Sequence, residues 1–178
     1  MGTWSKADIV QYLKTGQNTR AIAVGSMQEV IMLSTSKMQD SDLNAIAQYL
    51  KSLPAQNAAS PKTPPRMQMA KGQDVFVAHC AVCHLSTESA HGSREFPLLD
   101  GDTLIQGHNP TTILHVLLEG SQSPKTDNAP TGYSMPSFAA LSDENIADVA
   151  TYIRNAWSNR ADAVSVKDVT KLRKELQP

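Results

Sequence analysis

Cys80-Ala81-Val82-Cys83-His84 is the stretch on which the reading of this chain turns. Two thiols separated by two residues sit on one helical turn. Each can form a thioether to a vinyl group of the same porphyrin, and the imidazole directly after the second thiol then points at the iron. This is the attachment pattern of a c-type haem, and one such motif implies one covalent haem c. Two plainer readings compete for the same residues. A zinc site of the Cys-x-x-Cys kind needs further Cys or His ligands, and the chain has only two cysteines. A redox dithiol of the thioredoxin kind needs a βαβ setting, and no strand pattern stands out.

An iron held by His84 has a second axial position. An axial methionine raises the reduction potential and suits electron transfer, whereas an open position suits ligand or peroxide chemistry. The best candidate is Met135, in Thr131-Gly132-Tyr133-Ser134-Met135-Pro136-Ser137-Phe138. Gly132 and Pro136 shape a loop there, from which a thioether can turn toward the ring. Met135 could instead fill a core gap, and His91, His108 or His115 could supply a second imidazole. Met67 and Met69 read as helix and linker residues, and His79 as a surface histidine. Pro97 carries two readings side by side. Its carbonyl could accept from the free ring nitrogen of His84 and fix the imidazole, or it could simply shape a turn. Arg94 and Tyr133 are candidates for contact with haem propionates, set against a solvated arginine and a packed tyrosine.

The rest of the pattern is helical. Met69, Phe76 and Cys80 fall near one face of a helix leading into the haem motif. Ile113, Leu114, Leu117 and Leu118 form an apolar face over 111–119, with Pro110 at its start and Gly120 at its end. Ile146, Val149, Ala150, Ile153 and Trp157 form a stripe over 143–157, with Ser142 as N-cap and Asp143 and Glu144 at the positive end of the dipole. Ser165 and Asp168 cap a further short helix. Gly72 and Phe76 are expected to meet Tyr152, where a small residue permits close crossing. The expected fold class is all-α.

Residues 54–66 contain four prolines and read as a linker. Residues 1–53 repeat the second half of 67–178. Asp8-Ile9-Val10-Gln11-Tyr12-Leu13-Lys14-Thr15-Gly16 lines up with Thr112-Ile113-Leu114-His115-Val116-Leu117-Leu118-Glu119-Gly120. Leu43, Ile46, Ala47, Tyr49, Leu50 and Lys51 match Ile146, Val149, Ala150, Tyr152, Ile153 and Arg154, and Met27 lies between the blocks as Met135 does. The first copy lacks a haem motif. The expected organisation is therefore a truncated C-terminal part of one haem domain (1–53), a linker (54–66) and a complete mono-haem domain (67–178).

The net charge of −1 gives no electrostatic reason for nucleic-acid or anionic-membrane binding. It points instead to docking through a modest apolar patch at the haem edge, with weak salt dependence. No apolar run approaches the roughly 20 residues that cross a bilayer. Met1-Gly2-Thr3-Trp4 does not open a signal peptide.

The haem motif, the Met-Pro loop and the last helices together resemble a class I cytochrome c. Phe96-Pro97-Leu98-Leu99-Asp100-Gly101, Ser134-Met135-Pro136-Ser137-Phe138, Leu141-Ser142-Asp143 and Tyr152-Ile153-Arg154-Asn155-Ala156-Trp157-Ser158-Asn159-Arg160 are similar to the third haem domain of a particular cytochrome subunit. This is the tri-haem subunit of bacterial membrane-bound alcohol, gluconate and sorbitol dehydrogenases. Asp8 to Gly16, Gly25-Ser26-Met27-Gln28-Glu29-Val30 and 45–54 resemble the end of that family's second haem domain. The resemblance implies His84 and Met135 as axial ligands and Pro97 as the partner of His84. It also implies a periplasmic location on the outer face of the inner membrane. There electrons would pass from a dehydrogenase catalytic subunit toward ubiquinone or a terminal oxidase. Related subunits serve molybdenum hydroxylases of aromatic N-heterocycles, so the substrate stays open. The expected role is an electron-transfer domain and not an enzyme. The rival is a haem enzyme or ligand-binding domain with an open sixth position.

Overall fold

Ser5 starts the first helix. Its hydroxyl accepts from the Asp8 N–H, and the Asp8 carboxylate accepts from the Ser5 N–H at 2.7 Å. This closes a capping box over two otherwise unpaired donors. Helix α1 (Lys6–Thr15) ends where Gly16 turns left-handed at φ 82°. Helices α2 (Ser26–Leu33) and α3 (Asp40–Ser52) follow, joined through a short 3-10 turn, Thr35–Lys37. Trp4, Ile9, Tyr12, Leu13, Ala21, Ala23, Ile31, Leu43 and Ala47 bury one another between these helices. The computed structural model describes residues 4–54, 60–84 and 96–177.

The second layer begins with α4 (Arg66–His79), continued through Cys80 into the single turn α5 (Ala81–His84). Helix α6 (Thr111–Glu119) is entered from Pro110 and stopped at Gly120. Helix α7 (Asp143–Ile153) is capped by Ser142, whose hydroxyl accepts from the Asn145 N–H, and α8 (Val166–Glu175) carries the expected Ser165–Asp168 capping box. Phe76, Leu114, Ile146, Val149, Ala150, Val164 and Val169 form the heart of a second core. Helices α4 and α7 cross tightly. A Cβ added at Gly72 would lie 2.1 Å from the Asp148 carbonyl oxygen and 2.7 Å from Tyr152 Cβ, which is the close approach expected of that glycine.

Two expectations need correction. The stripe over 143–157 is not one helix: α7 ends at Ile153, and Trp157 takes a left-handed φ of 56°. Trp157 still packs on Phe76 and Tyr152, at ring separations of 5.7 and 6.2 Å. Its apolar contact therefore survives the turn that the 3.6-residue period could not reveal. A small antiparallel ladder also exists, with β1 (Ser121–Gln122) paired to β2 (Ser134–Met135) in the register Ser121 with Met135. Strands of two residues are too short to leave an alternating pattern.

Several matched positions of the two layers are packed alike, although Met27 lies in helix α2 and Met135 in strand β2. Leu43 and Ile146 are equally buried, as are Ala47 and Ala150. Lys51 Nζ donates to the Trp4 carbonyl at 3.0 Å, and Arg154 Nη1 donates to the Ile105 carbonyl at 2.7 Å. In both layers a cation at the end of the last repeat helix reaches back to the segment before the first. The copies part at Tyr49, which is 64% exposed, whereas its counterpart Tyr152 packs on Phe76 of α4 at 5.4 Å.

Candidate functional site

Cys80, Cys83, His84 and Met135 line one predominantly apolar cavity. The local turn brings the first three together. The Cys80 N–H closes α4 onto the Phe76 carbonyl, and the Cys83 and His84 N–H groups both donate to the Cys80 carbonyl, at 3.2 and 2.9 Å. Both thiols and the imidazole therefore ride on one turn while Val82, between them, faces solvent. Burial pushes the Cys80 thiol up to about 11, with Cys83 adding to the rise. A thiol held neutral in this way is a poor thiolate ligand. Among the described residues no group of three or more His, Cys, Asp or Glu is arranged to hold a metal ion.

Met135 comes from the far end of the domain and is fixed by backbone. Strand β2 pairs with β1, the Ser123 N–H donates to the Tyr133 carbonyl at 2.8 Å, and the Phe138 N–H donates to the Leu117 carbonyl at 2.8 Å. Gly120 lies beneath this strand with φ 77°, where a Cβ would approach the Met135 carbonyl oxygen to 2.6 Å. Only glycine allows that turn and that approach together.

The His84 imidazole is half-buried, and the desolvation pulls its pKa down, while the Pro97 backbone beside it acts in the opposite direction. No hydrogen bond of ordinary geometry closes between them, and Nδ1 is left buried without a partner. Tyr133 is half-buried on the cavity wall with Phe96 and Pro97. Arg94 and His91 lie outside the described residues. His108 pairs with Asp162 at 3.5 Å and His115 with Glu119 at 3.2 Å, both near the surface and away from the cavity wall. His79 is exposed on the cavity rim, its ring 6.3 Å from that of Phe138. Met67 is exposed on α4, and Met27 packs against the first core.

Several lining residues escaped the sequence reading. Ile22 and Val24 reach the cavity from the N-terminal layer. Asp102 lines an adjoining pocket that shares Cys80, His84 and Met135 with this cavity, and is pushed up to about 6 by burial, although the Leu104 N–H donates to it at 2.7 Å. Sequence spacing carries no signal for contacts between layers.

The donor set fits a haem c. Two thiols, an imidazole and a thioether share one predominantly apolar cavity. The cytochrome c family model matches residues 69–157. The chain belongs to the cytochrome c family. Its all-α architecture, with one minimal two-stranded ladder, is that of a cytochrome c. The relatives carry matching names. The gluconate 2-dehydrogenase cytochrome c subunit of Pantoea cypripedii is 38% identical over 98% of this chain and 42% of its own length. The cytochrome c subunit of the alcohol dehydrogenase (quinone) of Gluconacetobacter polyoxogenes is 36% identical over 97% of this chain and 40% of its own. That of Gluconobacter oxydans is 35% identical over 97% and 38%. The chain thus spans about two fifths of the length of the curated relatives it matches. Membership of the cytochrome c family implies covalent haem c and supports electron transfer.

Proposed function

We propose that this chain carries one haem c, joined through thioethers at Cys80 and Cys83 and ligated by His84 and Met135. We further propose that it relays single electrons from a dehydrogenase catalytic subunit toward a quinone or an oxidase-side acceptor, without catalysing a reaction of its own. One observation carries the reading: the motif residues and Met135, far apart in sequence, line the same apolar cavity.

When bound, haem c supplies a one-electron couple. The chain's own residues do the rest. Cys80 and Cys83 anchor, and His84 and Met135 fix the axial positions. Pro97, next to the buried Nδ1 of His84, supplies the carbonyl that orients the imidazole. Tyr133, on the cavity wall, and Arg94, outside the described residues, are the proposed contacts of the haem propionates. Val116, Leu117, Ile113 and Ile153 exclude water. Val82, 83% exposed between the two cysteines, contributes to an apolar rim for a transient partner.

Residues 67–178 form the proposed complete haem domain, 54–66 the linker and 1–53 the end of a preceding one; the two separate cores support this division. The names of the relatives support a dehydrogenase as partner. Thioether attachment requires free thiols and haem to meet outside the cytoplasm, which supports a periplasmic location on the outer face of the inner membrane. No helix among the described residues is long and apolar enough to cross a membrane.

The test is a haem-per-chain count on denatured protein made in a host that attaches c-type haem, with visible spectra of both oxidation states taken beforehand. One covalent haem with a sulfur-to-iron band in the oxidised form is expected. One haem without that band would remove Met135 from the iron. No covalent haem would overturn the proposal.

A further inference from the structure

Ile22 and Val24 belong to the N-terminal layer, yet they line the same cavity as Cys80, His84 and Met135. The backbone between α1 and α2 explains why. Gln17 pairs antiparallel with Ile22, and the Ala23 N–H donates to the Gly16 carbonyl at 2.8 Å. Asn18 Oδ1 accepts from the Arg20 and Ala21 N–H groups at 2.8 and 2.9 Å. In such an extended segment successive side chains point to opposite faces. Ala21 and Ala23 are buried in the N-terminal core. Ile22 and Val24 must therefore face the other way, and they belong to neither core. Two branched apolar side chains aimed into a cavity are stabilised there by an apolar occupant.

The segment and the start of α2 are held against the second layer at two places. A Cβ on Gly16 would lie 2.0 Å from Pro124 Cγ, so the two layers touch at that glycine. Gln28 Nε2 donates to the Gln122 carbonyl on β1.

We propose that Ile22 and Val24 are positioning residues for the haem of the following domain: they close one side of its cleft, exclude water from the wall shared with Met135 and raise its reduction potential. The inference rests on the haem attachment proposed above. Its physical basis is dielectric. Withdrawing water disfavours the ferric state, which carries one more positive charge than the ferrous state. The preceding layer thus tunes a cofactor to which it contributes no ligand.

The test uses full-length holoprotein. Wild-type protein is first assayed for covalent haem and the sulfur-to-iron band, and the Ile22→Asn/Val24→Asn double variant is then compared with Ile22→Leu/Val24→Ile. The polar pair should keep the band while its reduction equilibrium moves about tenfold toward the ferric state, about 59 mV for one electron. The aliphatic pair should restore most of that shift. A polar pair with the wild-type potential would overturn the inference. A second measurement needs no variant. In ferrous wild-type protein, nuclear Overhauser contacts should join the Ile22 and Val24 methyl groups to porphyrin protons, and their absence would overturn the inference even if the polar pair failed to fold. Wild-type protein without covalent haem would instead overturn the functional reading beneath it.

Discussion

Gly72 on α4 lies directly on the backbone of Asp148 on α7: the space a Cβ would need is taken by the Asp148 carbonyl oxygen 2.1 Å away. This crossing holds the helix that delivers Cys80 against the helix that carries Tyr152. A side chain at 72 cannot be absorbed by a rotamer change, because the obstacle is backbone. Gly72→Ala should therefore destabilise the holoprotein by about 3 kcal/mol, the upper part of the usual overpacking cost. Denaturant unfolding would measure it, and a wild-type midpoint would show that the two helices separate freely.

Met135 should be separable from haem attachment. In Met135→Ala the thioethers remain, so covalent haem content should match wild type. The sulfur-to-iron band should vanish and the potential should fall by on the order of 0.1 V, a modest part of the ~0.8 V range that axial ligands span. Redox titration with haem quantification checks both parts. An unchanged potential would refute the ligand assignment.

Asn159 ties three strands of chain together in the interior. Its Nδ2 donates to the Leu99 and Ile153 carbonyls at 2.8 and 2.9 Å, and its Oδ1 accepts from the Gly101 N–H at 2.9 Å. Truncation would leave the buried Ile153 bond and the part-buried Leu99 and Gly101 bonds unmade, at about 1–3 kcal/mol for each group that no water can reach. Asn159→Ala should lower stability by about 3 kcal/mol. It should also quicken amide hydrogen exchange at Gly101, on the loop that descends from Pro97. Equal exchange in both proteins would count against this role.

Asp143 links pH to the packing of α7 on α8. Its carboxyl accepts from Thr170 and from Arg173 Nε, the latter at 2.7 Å, and these contacts hold its pKa below the usual carboxylate value of 3.8. A lowered folded pKa means that the unfolded chain takes up the proton first. The stabilisation is therefore present above pH 4 and is lost as pH falls through the lowered value. Asp143→Asn should cost about 1 kcal/mol at neutral pH, a figure already reduced for the partly exposed site. Its stability should also decline less steeply below pH 4 than that of wild type. Parallel acid limbs would refute the linkage.

Much of the second layer was legible in the sequence, for local reasons. The cap at Ser142, the box at Ser165 and Asp168, and the stop at Gly120 are decided by residues within a few positions of one another. The repeat was legible because Leu43 and Ala47 solve the same packing problem as Ile146 and Ala150. The end of α7 was not, because Trp157 keeps its contact with Phe76 after the helix has stopped. A periodic stripe records burial and says nothing of backbone continuity.

By itself the sequence singled out Cys80, Cys83 and His84, because the proposed attachment to one porphyrin needs only residue types at fixed spacing on one turn. It also determined the helices, because capping and periodicity act over a few residues. Only the tertiary structure decided what shares the cavity. Met135 enters because a two-residue ladder and a glycine beneath it fix its backbone. Ile22 and Val24 enter because a tied-down turn sends alternate side chains away from their own core. Such contacts depend on how two folded layers meet, and no short-range pattern encodes that meeting.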